Sequence, residues 1–186
     1  MKLRCAVLLL VAAATVPALA QEEDRPAGFE FILGPRVGAN YVFTSVADFS
    51  ARLSQIYIVG NYFPLTSLFG IISEQRILLG QTRSHFAFQE MLMVSGLEQG
   101  VSIPTAGFLI GYRDASGFEI GFGPRVAMTG IGVIVAGGWT FRYRGVFVPV
   151  DVSFVLPSQS QPASLALTTG FNFVLFGSRR SATGEK

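Results

Sequence analysis

The 186-residue chain holds one cysteine, one histidine and one tryptophan, and the scarcity of the first two excludes classes of chemistry. Cys5 falls inside a segment with the form of an export signal, so the processed chain keeps no thiol. Disulfides, thiolate metal ligands and cysteine nucleophiles are thereby excluded. With His85 as the only imidazole, no group of residues has metal-ligand spacing, and no phosphate-binding loop or paired-carboxylate spacing occurs. No metal or cofactor is expected. Charge is sparse and balanced: two of the fourteen Lys and Arg residues, Lys2 and Arg4, precede the apolar run of the signal, which leaves twelve basic against twelve acidic. A chain without a basic stripe is not expected to bind nucleic acid.

Long apolar runs are lacking as well. The run from Ala6 to Ala14 is too short for a spanning helix, which needs roughly 20 apolar residues. With two basic residues before it and Ala18, Leu19 and Ala20 after, it reads as a secretory signal over residues 1–20. Residues 21–27 form a polar start, 28–176 one domain, and 177–186 a basic tail expected to be disordered. What the chain does have is apolar side chain, with a mean hydropathy of +0.48 and all seventeen phenylalanines beyond the signal. An exported chain with no spanning helix can bury such side chains in lipid as a closed sheet, which leaves no backbone polar group unpaired.

The clearest motif is a repeat. Gly28–Val37 (GFEFILGPRV) returns 89 positions later as Gly117–Val126 (GFEIGFGPRV), with seven of ten positions identical. In each copy the bulky apolar residues take one parity, Phe29, Phe31, Leu33 and Val37 or Phe118, Ile120, Phe122 and Val126, while Glu and Arg take the other. That is a strand with one apolar face and one face carrying charge. Similar alternation marks eight segments, at about 29–43, 68–79, 85–96, 101–112, 118–126, 131–141, 146–156 and 164–176. The third is poorly patterned, since both parities are largely apolar. Between the first two, Ser45 and Asp48 are spaced as a capping box for a short helix within the longest loop, 44–66. The repeat offset divided by four strands is about 22 residues, the length of a strand plus its connection in a small barrel. The copies are then strands one and five, parallel in direction and on opposite walls. Pro35, Pro104, Pro124 and Pro149 fall inside these strands, where a closed barrel has no free edge to absorb a missing N–H. Bulges are expected at Gly34–Pro35 and Gly123–Pro124.

The fold expected is all-β, an eight-stranded antiparallel up-and-down barrel with a short helix in the first long loop. The signal, the eight alternating segments and the closing stretch Thr168–Leu175 (TTGFNFVL) resemble small bacterial outer-membrane β-barrel proteins, the class of the OmpA membrane domain and OmpX. That resemblance implies an outer-membrane location, membrane lipid as surroundings and a structural or interaction role. A small channel or transporter is one alternative. A soluble, lipocalin-like periplasmic barrel, binding a lipid-like or small-molecule ligand with its apolar residues inside, is another. The readings differ in which face of the strands points inward.

In the membrane orientation Glu30, Arg36, Glu74, Arg76, Glu119, Arg125 and Asp151 converge on a narrow lumen. Eight strands leave an interior that side chains can fill, and buried charges are tolerated when paired and hydrogen-bonded. These residues are therefore expected to form a charge network that plugs or narrows the barrel. Ser84 and His85 invite comparison with outer-membrane lipid hydrolases that use a Ser, His and acid arrangement, but Glu90 has the opposite parity from His85 and points away from it, while Glu74 on the second strand could lie nearer. The chain is not expected to be an enzyme.

Overall fold

The alternating segments become staves of a closed wall. The structure, a computed structural model, describes residues 29–58, 60–78, 84–128, 130–143, 146–159 and 161–177. The expected signal, the polar start and the tail beyond Gly177 lie outside these residues, as does the turn at 80–83. Nine strands are present among the described residues: β1 (Phe29–Val42), β2 (Leu65–Leu78), β3 (His85–Ser95), β4 (Ile103–Arg113), β5 (Phe118–Ala127), β6 (Gly130–Tyr143), β7 (Val146–Val155), β8 (Ser164–Gly170) and β9 (Phe173–Gly177). From β1 to β8 each strand pairs antiparallel with its neighbour in sequence order, and β1 closes the ring by pairing β2 on one side and β8 and β9 on the other. β8 and β9 share one line against β1, so the barrel has eight staves, the last in two pieces. The two repeat copies are β1 and β5, four staves apart on opposite walls.

The period of two decides what the wall does with its side chains. On β5, Phe118, Ile120, Phe122 and Val126 point outward while Glu119 and Arg125 point in, and β1 repeats the pattern with Val37 and Tyr41 outside and Ile32 and Arg36 buried. This is the reverse of the lipocalin-like arrangement, in which the apolar face would line the interior. The third segment's poor pattern has a physical cause: β3 sends Met91 and Met93 inward and Phe86, Phe88 and Leu92 outward. Its lumen face meets an apolar layer in the interior, where Leu68, Met93 and Ala166 pack together and Leu109, Ile134 and Val155 form a second group.

The prolines are not accommodated by the expected bulges. Pro35 pairs in register with Ile71, and Pro124 with Val133. The ladder instead drops pairs on one side. β4 and β5 pair through Gly107↔Arg125 and resume at Ile110↔Phe122, with the positions at Gly123 and Pro124 skipped. Pro35 lies opposite the break between β8 and β9, and Pro149 flanks that break from β7, where pairing begins at Val150↔Thr169. Pro104 sits at the second position of β4, beyond the first β4–β5 pair. A residue without an N–H leaves a gap of this kind without altering the residue count, so the faces stay in phase. The one register shift among the described ladders falls elsewhere, at Phe31/Ile32 against β9.

Phe29 and Gly177, the first and last described residues, and the Asp114–Gly117 turn share one end of the barrel; Gly117 adopts a positive φ of 96° there. Longer loops occupy the other end. β2 begins three residues earlier than expected, so the first loop spans 43–64 and contains α1 (Val46–Leu53), capped by Ser45 Oγ accepting from the Asp48 N–H at 3.0 Å. The Ser45 hydroxyl donates back to the Asp48 carboxylate at 2.7 Å. α1 buries Phe49 and Leu53 against Tyr62, Val101 and Ile103. Ser50 ties the loop to itself, its hydroxyl oxygen accepting from the Tyr62 N–H at 2.8 Å.

Candidate functional site

Charged side chains concentrate in the lumen toward the terminal end. Parity sends Glu74 and Arg76 of β2, His85 and Gln89 of β3, Arg113 of β4 and Glu119 of β5 to the same interior. Glu74, 1% exposed, is the hub. Its carboxylate accepts from Arg76 Nε, from Arg113 Nη2 at 2.7 Å and from Gln89 Nε2 at 2.9 Å, and His85 Nε2 stands 3.8 Å away. Arg113 carries the chain of contacts onward, donating to Glu119 and, through Nη1, to Thr140 Oγ1 at 2.7 Å. The Thr140 hydroxyl donates in turn to Glu119 Oε1 at 2.8 Å. At the mouth, Glu30 lies 3.6 Å from Arg76 Nη1 and is half-buried. Charge-assisted hydrogen bonds of this kind are the strong ones, and a shared carboxylate offsets the desolvation of two guanidiniums.

Two smaller groups lie beside this chain, the first adjoining it where the Asp151 side chain meets that of Glu119. Arg36 Nη2 donates to Asn172 Oδ1 at 2.8 Å, and Arg36 Nη1 to the Pro35 carbonyl at 3.1 Å. Asp151 approaches Arg36 Nε at 3.8 Å without a hydrogen bond. Toward the loop end, Arg125 Nη1 donates to Gln161 Oε1 at 3.2 Å and meets no carboxylate among the described residues. Of the seven lumen charges singled out by sequence, four (Glu30, Glu74, Arg76 and Glu119) join one connected group, Arg36 and Asp151 form a second, and Arg125 pairs with an amide. Within each repeat copy, Glu and Arg do not pair with each other.

Sequence reasoning missed Arg113, the residue that links Glu74 to Glu119. Its parity signal was available, since Ile103, Thr105, Leu109 and Arg113 are all buried on one face of β4; its place beside the Asp114 turn disguised it as a turn residue. Asn172 and Gln161 carried no such signal. The first lies in the break between β8 and β9, and the second comes from the loop after β7.

Between the charged and apolar layers lies a cavity of about 60 Å³, with Leu68, Met93 and Leu109 among its apolar walls and Arg113, Glu119 and Asp151 among its polar ones. Sites for drug-sized ligands run from about 300 Å³ upward, so this space suits a solute of water's size. Ser84 is not assembled with His85 into a catalytic pair: its hydroxyl donates to Asp114 at 3.2 Å, while His85 faces Glu74 in the lumen.

No family model matches this chain, and no curated protein does. Among solved structures, one from work on de novo design of transmembrane β-barrels aligns over 82% of this chain and 100% of its own, with 10% identity and a TM-score of 0.42. An acetoacetate decarboxylase-like enzyme from Sphingomonas wittichii RW1 aligns over 83% of this chain and 97% of its own, with 8% identity and a TM-score of 0.20. Likeness at these scores says nothing of activity, and the site is read from its own geometry.

Proposed function

We propose that the chain is an outer-membrane β-barrel protein of the small OmpA membrane domain and OmpX type, exported by residues 1–20, with a structural or interaction role and a closed lumen. The observation that carries this reading is the outer surface. Aromatic pairs are spread around the terminal end (Phe31 with Phe176, Phe86 with Tyr112, Phe118 with Trp139), and one aromatic cluster, Tyr41, Phe43 and Phe154, lies at the loop end. Aliphatic residues such as Ile71, Leu92, Ile110 and Val133 lie between them. From Phe31 to Tyr41 the chain advances ten residues, which at about 3.3 Å per residue and a tilt near 40° is roughly 25 Å along the barrel axis. A transmembrane barrel carries an apolar band of about that height between aromatic girdles, with short turns at the end bearing the termini and longer loops outside. Inside, the paired charges and the packed apolar layer favour a plugged barrel over a conducting one. The loop at 43–64, folded around α1, is the surface this reading assigns to an external partner.

Cell fractionation with heat-dependent gel mobility tests the location, and planar-bilayer recording tests the lumen. Recovery in the outer-membrane fraction, a mobility shift on boiling and no unitary conductance are expected. Recovery in the soluble periplasmic fraction would overturn the membrane reading. Discrete conductance steps in the wild type, altered in an Arg36→Ala, Arg125→Ala double variant, would replace the plugged barrel with a channel.

A further inference from the structure

The outward faces of the described strands are almost wholly apolar, and their exceptions are not scattered. Ser67, near the loop end, donates to Glu98, and Thr169 donates to the Pro149 carbonyl at 2.9 Å. The remaining three, Ser73 and Gln75 of β2 and Glu90 of β3, form one island. Ser73 donates through its hydroxyl to Glu90 Oε2, and Gln75 Nε2 to Glu90 Oε1 at 3.3 Å, near the long limit of a hydrogen bond. Glu90 is the one carboxylate on the outward faces of the described strands. It sits at mid-height: Phe86 and Phe88 lie outward on one side of it along β3, Leu92 and Val94 on the other.

An ionisable group at that depth is costly and marks a functional contact. The intramolecular bonds satisfy it in part. The second N–H and the carbonyl oxygen of Gln75 have no partner within the described chain, and lipid tails supply neither donor nor acceptor. Around the island the surface is apolar, with Leu33 and Ile71 on one flank and the stacked rings of Phe88 and Phe108, 6.2 Å apart, on the other.

We propose that this β2–β3 wall is the surface through which two copies of the chain associate within the membrane; the inference rests on the membrane reading above. Glu90 supplies acceptors and Gln75 supplies donors, so the island is complementary to itself. A two-fold axis along the membrane normal, lying in the interface between the two walls, sets Gln75 of each copy against Glu90 of the other, an isologous contact that uses both groups twice. A foreign partner would have to bring a matching donor to the same depth; a second copy carries one by symmetry. Polar side chains act in this way as glue between membrane-embedded segments, where apolar surface gives no preference for protein over lipid.

Phe88 pairs across the ladder with Gln75 and therefore falls beside the axis. In a Cys5→Ser background, Phe88→Cys in phosphatidylcholine vesicles treated with copper phenanthroline should give a disulfide-linked dimer at twice the chain mass. Val135→Cys, outward on β6 across the barrel, should stay monomeric. Adding Gln75→Leu and Glu90→Leu to Phe88→Cys should lower the dimer yield about tenfold while heat-dependent mobility is retained, which shows that the barrel still folds. A membrane-embedded Phe88→Cys protein that stays monomeric, a yield indifferent to the double substitution, equal crosslinking at Val135→Cys, or an adduct with a different protein in native membranes would each overturn the dimer and leave the membrane reading intact. Recovery as a soluble protein would remove both.

Discussion

Truncating Glu74 should be among the most damaging single changes to the barrel. Glu74→Ala removes the acceptor shared by Arg76, Arg113 and Gln89. Arg76 is then left with the half-buried Glu30, and Arg113 with Glu119 and Thr140. Removing one partner of a buried ion pair costs about 3–5 kcal/mol, because the charge left behind stays desolvated. With a denaturant dependence of about 2 kcal/mol per molar urea, a loss near 4 kcal/mol lowers the unfolding midpoint by about 2 M. Trp139 is the only tryptophan and lies on the outer wall against Phe118, so its fluorescence in lipid vesicles reports loss of the membrane-facing surface. Glu74→Gln, which keeps the shape and withdraws the charge, should fall between wild type and Glu74→Ala. Replacing Glu74, Arg76, Arg113 and Glu119 together by methionine should restore most of the stability, since an apolar substitute for a whole buried ion cluster is often neutral. A Glu74→Ala midpoint within about 0.5 M of wild type would refute the reasoning and show that the carboxylate does not hold the two arginines in place.

Leu53 is fully buried where α1 packs on the loop end, so Leu53→Ala should cost about 2–5 kcal/mol locally. Faster protease cleavage in the 54–63 segment is expected, with the barrel still heat-modifiable and still non-conducting, because the charged layer closes the lumen at the other end. In the Asp114–Gly117 turn, the Ser116 hydroxyl, aided by the Ser116 and Ala115 backbone N–H groups, holds the Asp114 carboxyl below the usual aspartate range. A depressed folded value stabilises the turn above the unfolded pKa and loses that contribution as pH falls through the folded one. Ser116→Ala should therefore shift the Asp114 titration upward, as read by NMR of its side-chain carboxyl carbon; an unchanged titration would discount the hydroxyl.

Parity carried most of what was legible in the chain. Alternation in Phe29–Val42 and Val146–Val155 was strong enough to assign their faces, and the offset between the repeat copies set them on opposite walls. The capping pair Ser45 and Asp48 marked α1 from local chemistry alone. The β3 face was harder to read, because a lumen that is apolar in one half presents two apolar parities. The prolines misled in one respect: a missing N–H can be absorbed by a skipped ladder position as well as by an extra residue, and only the pairing partners distinguish the two.

The sequence by itself determined which residues share a face of each strand, since that depends on a period of two repeated along the strand and on nothing beyond it; which of the two faces lines the interior was left open. It could not determine which interior charges meet. Parity fixes a side chain's face but not its height, and height depends on strand tilt, ladder register and closure of β1 onto β8 and β9. Those are properties of the whole ring. Arg36 reaches Asn172, 136 positions away in sequence, because closure brings the first stave beside the last; Arg113 reaches Glu74, 39 positions away, because of its register along β4. Tertiary structure alone resolved one expected network into a Glu74 cluster, an adjoining Arg36–Asp151 group and an Arg125 held by the neutral side chains of Gln161 and Thr105.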